Sequence, residues 1–381
     1  MSPVGKTAVR LDYLDSVRGQ AALAVVWIHY FGGFGQGVFA PLYHTPLHAL
    51  FNGAASIALF FVLSGFVLSH RHLNSAETSL SLASFYVKRF GRICTPFAAV
   101  LILSKLCNDY LSRDFLTNPP QSPWLLSMWS RADGLSWWET LEQIALVTPG
   151  IQVLLVPQAW TLTIELRLAM LVPFMILIAR CGTPWLITFC IVSYWLFGVP
   201  VFLANFCFGV LLARHYDAIC GKVAALSSTA LVVVSCIGLF LYNFRAWPAE
   251  YKLGLDGMSD AENFIMACGA GVFLALVLGR PFLQRIFMSR PLRALGKVSF
   301  SLYLVHFLVL VQITPPMLAA INDLGITGQL AHGLGFCLYT IASLVLASLC
   351  YYLAERPSQV LSRRLGGYVS GFAVIDKRQA T

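Results

Sequence analysis

The sequence predicts an all-α polytopic membrane protein with about ten transmembrane helices. Of its 381 residues, 58% are apolar and only 11% are charged, whereas a soluble domain carries about 25% charged residues. The mean hydropathy is +0.73. Apolar runs of spanning or near-spanning length also recur along the whole chain. An ordinary soluble domain is therefore excluded.

The ten predicted spans share an apolar core flanked by polar or basic residues, and they lie near residues 20–40, 53–69, 92–106, 164–180, 184–198, 200–214, 224–242, 262–279, 299–317 and 330–353. With ten spans and a cytoplasmic N-terminus, twenty of the 26 Lys and Arg residues lie inside and five outside, with Arg167 within a span. The basic residues behind the net charge of +9 therefore indicate the orientation of the chain in the membrane and do not indicate nucleic-acid binding.

An eleventh apolar run, residues 143–157, is shorter and is interrupted by Pro149, Gly150 and Pro157. If this run crossed the membrane, the basic cluster between residues 280 and 297 and the basic C-terminus would lie outside, against the positive-inside rule. We therefore interpret it as a re-entrant or interfacial segment. Residues 1–365 are predicted to form one transmembrane domain in the plasma (inner) membrane, and residues 366–381 a mobile cytoplasmic tail.

Two patterns near the N-terminus favour plain structural interpretations. The first apolar run is interrupted by His29 and several glycines, which is untypical of a cleaved signal peptide. His44 and His48 have the i, i+4 spacing of metal ligands, but Pro46 lies between them and no acidic partner follows, so no metal site is expected.

The ten cysteines lie mostly within spans and lack C-x-x-C spacing, so neither a disulfide framework nor a zinc site is predicted.

The first predicted span carries two ionisable residues, Arg18 at its basic edge and His29 within it. Eleven residues make roughly three helical turns, so both side chains project from one face about 16 Å apart. Ionisable groups at membrane depth are costly unless they line a cavity or find a partner. His29 is therefore a candidate for chemistry within the bilayer.

Two arginines precede the third span in the run Lys88-Arg89-Phe90-Gly91-Arg92. Arg89 and Arg92 are three residues apart, face one side of a helix, and would offer two forked donors suited to phosphate oxygens. The alternative is that they are only positive-inside topology anchors.

Further candidates lie nearer the outer face and in the ninth span. Glu165 enters the outer end of span four, where it could act on a substrate or complement the positive end of the helix. His306 lies about as deep as His29, and its alternative role is packing with a hydrogen bond to a neighbouring backbone or hydroxyl group. The tryptophans and carboxylates of residues 107–142, Trp124 among them, could form a carbohydrate platform or an interfacial aromatic belt.

Six short motifs occur in order over nearly the whole chain: Leu14-Asp15-Ser16-Val17-Arg18-Gly19 leading to His29, Phe60-Phe61-Val62-Leu63-Ser64-Gly65-Phe66, the Arg89/Arg92 pair, Trp160-Thr161-Leu162 followed by Glu165 and Pro173, the Ser299 to His306 run, and Glu355-Arg356-Pro357. In this combination the sequence resembles the acyltransferase-3 family of integral membrane O-acyltransferases.

The resemblance implies that an acyl group, most often acetyl, leaves acetyl-CoA on the cytoplasmic side and reaches a hydroxyl acceptor on the far side. Acetyl-CoA would be a donor substrate and not a bound cofactor. The acceptor would be a cell-surface glycan or a lipid-linked sugar, and no nucleic acid is expected as a partner. The implied site residues are Arg18, Arg89 and Arg92 for donor binding, His29 and Glu165 for catalysis, and Trp160, Tyr303 and His306 on the acceptor side. His29 could take the proton of the hydroxyl or carry the acyl group itself.

Some positions depart from the family pattern. Thr161 and Thr163 stand where the family often has serine, and Ala169 stands where an aromatic residue commonly follows the glutamate, so acceptor contacts could differ. The C-terminal esterase-like domain of many relatives is not expected here. Two alternatives remain open: an acceptor that is a small hydrophobic natural product such as a macrolide, and a transporter or channel without chemistry. The oligomeric state stays open as well.

Overall fold

The structure, a computed structural model, describes residues 11–34, 36–74, 81–111, 122–130, 134–146, 155–197, 201–247 and 259–379. Within these ranges the regular elements are helices and no strand occurs, which confirms the predicted all-α class. The α-helices are α1 (Tyr13–Phe34), α2 (Gln36–Phe39), α3 (Gly53–Asn74), α4 (Leu82–Tyr110), α5 (Pro123–Ser130), α6 (Trp137–Glu142), α7 (Trp160–Cys181), α8 (Thr183–Phe197), α9 (Phe202–Arg214), α10 (Tyr216–Ala224), α11 (Ser228–Tyr242), α12 (Asp260–Gly279), α13 (Pro281–Phe287), α14 (Arg290–Gln312), α15 (Thr314–Asp323), α16 (Gly328–Cys350) and α17 (Arg356–Gln379). Short 3₁₀ turns cover Ala40–Leu42, Pro46–Leu50, Pro157–Ala159 and Phe244–Ala246, and a π-helical turn covers Tyr351–Glu355.

Six segments of the described chain are long and apolar enough to cross a membrane: α3, α4, Pro157–Cys181, α12, α14 and Gly328–Val369. Two shorter apolar helices, α9 and α11, accompany them. Each of the ten predicted spans overlaps a helix, but the number that cross the membrane stays a prediction. The interior of the predicted re-entrant segment, residues 147–154, lies outside the described residues. Residues 366–379, in the predicted tail, belong to α17.

Helix α1 begins at Tyr13, seven residues before the span that the apolar pattern predicts. Its first turns are polar, and Arg18 Nη1 lies 2.8 Å from Asp15 Oδ1 across an i, i+3 spacing. Such pairs stabilise a helical turn, so the helix extends into a stretch that hydropathy alone does not mark.

The fold divides into two compact units. The first comprises Met1–Ile28, Ala40–Ser79 and Leu168–Ser299, and the second comprises His29–Phe39, Leu80–Arg167 and Phe300–Thr381. Helices α1, α7 and α14 contribute residues to both. Because the units interleave along the sequence, the division is not a boundary between consecutive domains.

Close glycine contacts organise the first unit. A Cβ atom at Gly65 would lie 2.2 Å from the carbonyl oxygen of Phe206, so α3 and α9 meet backbone to backbone. Similarly, a Cβ atom at Gly19 would lie 2.7 Å from the backbone nitrogen of Gly296, which brings the starts of α1 and α14 together beside Arg18. Small residues of this kind allow close helix approach in membranes.

In the second unit, α4 packs on α17 and α14 packs beside the π-helical turn. A Cβ atom at Gly91 would lie 2.5 Å from Ser362 Cβ, and the Ser358 hydroxyl donates to the Gly91 carbonyl oxygen. These contacts fix the position of the turn of α4 that contains Arg89 and Arg92 relative to α17. The Tyr30 hydroxyl donates to the carbonyl oxygen of His332 at 2.9 Å, which joins the end of α1 to α16.

Candidate active site

Two imidazoles from distant parts of the sequence meet within the second unit. His29 lies in α1 and His306 in α14, and His29 Nδ1 is 3.0 Å from His306 Nε2. The ring centroids are 5.1 Å apart and the rings are inclined by only 24°, the arrangement of two rings joined edge to edge by a hydrogen bond. His306 is fully buried, whereas His29 keeps partial exposure. Of the two, His29 is the ring that a substrate could reach.

Aromatic side chains surround the His29 ring. Trp124 of α5 lies nearly parallel to it, with centroids 5.6 Å apart and an interplanar angle of 9°. Phe307 of α14 stands perpendicular, with its centroid 6.0 Å away. The start of α5 is tied to α1 because the Ser122 backbone N–H donates to the Gly33 carbonyl oxygen at 3.1 Å. A ring held on several sides is restricted in orientation, as catalytic geometry requires.

A buried ion pair joins Arg89 of α4 to Glu165 of α7. The arginine side chain is 10% exposed and the glutamate 22%. The Arg89 Nε atom is buried without a hydrogen-bond partner among the described residues. Arg92 lies one helical turn further along α4 and is partly buried.

This contact corrects one prediction, because charge counting assigned Arg89 to the inner face and Glu165 to the outer face. Arg89 is the eighth residue of α4, about 10 Å along its axis. The segment before α7 also lies beside the middle of α14, since Gln158 Nε2 donates to the Leu304 carbonyl oxygen at 2.8 Å. The prediction took the start of an apolar run as a membrane face, whereas the ion pair places Glu165 beside Arg89.

The acceptor-side candidates occupy different environments. Trp160 is 43% exposed at the start of α7. The Tyr303 ring is buried, and its hydroxyl lies 3.0 Å from the Gln158 carbonyl oxygen and 2.7 Å from Thr161 Oγ1. Tyr303 therefore anchors the start of α7 to α14. Among these candidates, Trp160 remains available at a surface.

Arg18 belongs to the first unit. It forms an ion pair with Asp15, and the next residue, Gly19, lies close to the backbone of Gly296. Arg18 lies eleven positions before His29 in α1.

The sequence motifs gave no role to Glu355, although they contain it. Its buried carboxylate accepts from the Ser301 hydroxyl at 2.6 Å, the Ser301 backbone N–H at 3.2 Å and Gln359 Nε2 at 2.9 Å. The π-helical turn that ends at Glu355 aims this side chain at α14. Ser301 lies five residues before His306, so the carboxylate steadies the helix that carries the histidine pair. The signal in the sequence was that Ser301 belongs to one motif and Glu355 to another. Only the fold shows that the two residues are in contact.

The two histidines of the loop after α1 lie in different environments. His44 Nδ1 lies 2.7 Å from the Ala246 carbonyl oxygen. His48 is fully buried, and burial, together with the nearby His44, lowers its pKa to about 4. Among the described residues there is no group of three or more His, Cys, Asp or Glu that could hold a metal ion.

Comparison with known proteins identifies the family of this chain. The acyltransferase-3 family, described as an acyltransferase domain, matches residues 11–352. The chain is 24% identical over 356 residues to the O-acetyltransferase PaAT-1 of Phomopsis amygdali, covering 77% of this chain and 71% of that protein. It is 22% identical over 330 residues to the peptidoglycan O-acetyltransferase OatA of Listeria monocytogenes serovar 1/2a, covering 80% of this chain and 50% of that protein. No solved structure matches the chain significantly. With a family match over most of its length and six apolar helices of spanning length, this membrane-embedded chain belongs to the acyltransferase-3 family of O-acyltransferases.

Proposed function

We propose that this protein transfers an acetyl group from cytoplasmic acetyl-CoA to a hydroxyl of an extracytoplasmic or membrane-associated acceptor, a cell-surface glycan or a lipid-linked sugar. The observation that carries the proposal is the partly exposed His29 held by the buried His306 at 3.0 Å. A fixed imidazole in a membrane-embedded site is suited to general base or nucleophilic catalysis of acyl transfer.

In the general base route, a His29 nitrogen takes the proton of the acceptor hydroxyl while the oxygen attacks the thioester carbonyl carbon. The carbon–sulfur bond then breaks, and the thiolate of coenzyme A takes the proton from His29. In the nucleophilic route, the His29 nitrogen attacks the thioester carbonyl carbon, and the carbon–sulfur bond breaks with release of the coenzyme A thiolate. The acceptor hydroxyl oxygen then attacks the acyl carbon, the nitrogen–carbon bond breaks, and the hydroxyl proton ends on the thiolate. Both routes use the same exposed ring.

The donor would be held by arginine. Coenzyme A carries a 3′-phosphate and a pyrophosphate, and guanidinium groups bind such anions with forked, charge-assisted hydrogen bonds. Arg89 and Arg92 occupy successive turns of α4, and the buried Nε of Arg89, which has no hydrogen-bond partner among the described residues, supports a ligand contact there. The ion pair with Glu165 would hold the Arg89 guanidinium in place before the donor arrives.

The sidedness of the reaction rests on charge distribution. In the ten-span topology, both termini and most basic residues lie in the cytoplasm, as the positive-inside rule requires. The acceptor class is supported by the Listeria relative, which is a peptidoglycan O-acetyltransferase.

The test is acyl transfer by the purified protein in lipid nanodiscs with acetyl-CoA as donor. Free coenzyme A and acetylated acceptor should be quantified by mass spectrometry, because the ten free cysteines would react with a thiol dye. We expect coenzyme A release that depends on a hydroxyl acceptor and matches the acetyl groups transferred. Acetyl-CoA that stays intact with every acceptor class would contradict the proposal and favour a non-catalytic transporter or channel.

The acceptor class can be identified in cells. Mass spectrometry of surface glycans and of small extractable molecules should be compared between a strain that lacks the gene and one that carries it. Loss of O-acetyl groups from glycans is the expected result. Loss confined to a small hydrophobic natural product would replace the glycan with that acceptor class.

A further inference from the structure

The hydrogen bonds of His306 bear on which ring nitrogen of His29 carries a hydrogen. His306 Nδ1 lies 3.2 Å from the carbonyl oxygen of Leu302, one turn earlier in α14. A carbonyl oxygen only accepts, so His306 Nδ1 carries the hydrogen of this bond. The ring is fully buried, and a buried imidazolium without a counter-ion is costly, which favours neutral His306.

A neutral imidazole with its hydrogen on Nδ1 has a bare Nε2 that can only accept. His306 Nε2 is the atom that lies 3.0 Å from His29 Nδ1. The hydrogen in this second bond therefore belongs to His29 Nδ1. Neutral His29 is left with its lone pair on Nε2, the ring nitrogen directed away from His306.

We propose that His306 is a positioning residue that fixes His29 as the Nδ1–H tautomer, so that Nε2 is the atom of His29 that takes the proton or the acyl group. The inference rests on the proposed acyl transfer and narrows it to one nitrogen. In the general base route, the hydroxyl proton moves to Nε2 and then to the leaving group. While His29 is an imidazolium, its Nδ1–H bond to His306 becomes charge-assisted and stronger.

Two neighbouring aromatic rings restrict the orientation of the His29 ring. Trp124 runs nearly parallel to the His29 ring and Phe307 stands perpendicular to it. The Tyr339 hydroxyl, 3.5 Å from the His306 carbonyl oxygen, connects the same turn of α14 to α16. His306 is thus held by two helices and presents one acceptor atom to His29.

Three substitutions at His306 separate hydrogen bonding from packing. In His306→Gln, the side-chain oxygen reaches about as far as Nε2 and can accept from His29 Nδ1. In His306→Asn, the side chain reaches only as far as Nδ1, so it can bond to Leu302 but not to His29. His306→Phe keeps ring volume without either hydrogen bond. His48→Gln in the first unit is the matched control, because His48 is also fully buried but lies outside the site.

Acetyl transfer should be measured for the four variants in nanodiscs. The outer hydrogen-bond partner of a metal-bound histidine is worth about 10- to 100-fold, and by analogy His306→Asn and His306→Phe should lose a factor of this size in kcat. His306→Gln should stay within about tenfold of wild type by restoring the acceptor, and His48→Gln should match wild type. Equal losses in His306→Gln and His306→Asn, or wild-type rates in His306→Phe, would overturn the proposal.

Nitrogen-15 NMR of the histidine-labelled wild-type protein in bilayers tests the tautomer without activity. The eight histidines can be assigned by difference spectra against His29→Gln and His306→Gln. We expect a protonated Nδ1 and a bare Nε2 on both His29 and His306. A protonated Nε2 on neutral His29 would refute the inference even if the enzyme is active. The expected tautomers in a protein that fails to transfer acetyl groups would instead count against the proposed function alone.

Discussion

At the scale of single residues, the ion pair between Arg89 and Glu165 links the donor side of the proposed site to α7. Removing one partner of a buried pair leaves the other charge without compensation, which costs about 3–5 kcal/mol in a fully buried setting. The cost here should be nearer the lower end because Glu165 keeps 22% exposure. The pair therefore has a structural role besides any role in donor binding.

Arg89→Ala should therefore weaken donor binding and also destabilise the protein, whereas Arg92→Ala should mainly weaken donor binding. Both variants should bind acetyl-CoA more weakly, by roughly 10- to 150-fold for the loss of one charge-assisted phosphate contact. Only Arg89→Ala should also lower the unfolding temperature markedly. Isothermal titration calorimetry and thermal unfolding in detergent measure the two effects. Arg363→Ala is a suitable control, because this exposed arginine of α17 donates through its Nε to the Gln359 carbonyl oxygen of its own helix.

The double variant Arg89→Gln/Glu165→Gln separates the two roles. It removes both charges and keeps two side chains that can hydrogen-bond, so stability should recover towards wild type while donor binding stays weak. Normal acetyl-CoA binding by Arg89→Ala and Arg92→Ala would show that these arginines are only topology anchors.

Residue types, helical spacing and the family motifs predict the candidates for this site, and their roles stay predictions. The pattern of motifs selects His29, His306, Arg89 and Glu165 from the sequence. It does not predict which of them touch, because His29 and His306 are 277 positions apart. Trp124 also escaped assignment, since an aromatic residue in an outer segment is equally compatible with an interfacial belt.

At the scale of helices, the contact between α4 and α17 positions the arginines of α4. Gly91 lies between Arg89 and Arg92, and a Cβ atom there would lie 2.5 Å from Ser362 Cβ. Gly91→Ala should destabilise the protein by about 1–3 kcal/mol through overpacking and weaken acetyl-CoA binding by moving both arginines. Thermal unfolding and calorimetry provide the measurements.

A compensating change makes this prediction specific. Ser362→Gly removes the atom that an alanine at position 91 would strike, so Gly91→Ala/Ser362→Gly should recover much of the lost stability. Gly367→Ala in α17 is the control, because nothing lies within 4 Å of the added atom. A Gly91→Ala variant as stable as wild type would mean that α4 and α17 are not held at this distance.

Helix boundaries show where hydropathy succeeds and fails. The apolar pattern predicted the start of α3 and both ends of α12 to within a few residues, because their membrane-facing and core-facing residues are both apolar. It missed the polar start of α1, where Asp15 and Arg18 compensate each other. It also separated Glu165 from Arg89, which the structure joins, because an apolar run reports the length of a helix and not its depth.

At the scale of the whole molecule, the proposed reaction requires donor and acceptor to approach from opposite faces. Single cysteines at positions 75 and 323 of a cysteine-free variant test the topology. Ser75 follows α3 and lies outside the described residues, and Asp323 is the exposed last residue of α15. In intact cells, the ten-span topology predicts that an impermeant maleimide labels position 323 and spares position 75. Labelling of both positions from outside would refute that topology and the crossing of the acyl group.

The most direct test of His29 as the reacting group compares wild type with His29→Gln in one preparation. Acetyl transfer should be followed by mass spectrometry of coenzyme A and acceptor, and acetyl-CoA binding by calorimetry. Glutamine keeps polarity but has no titrating nitrogen, so transfer should be abolished while acetyl-CoA binding stays nearly unchanged, since the arginines hold the donor phosphates. Continued turnover by His29→Gln at the wild-type rate would contradict catalysis by His29.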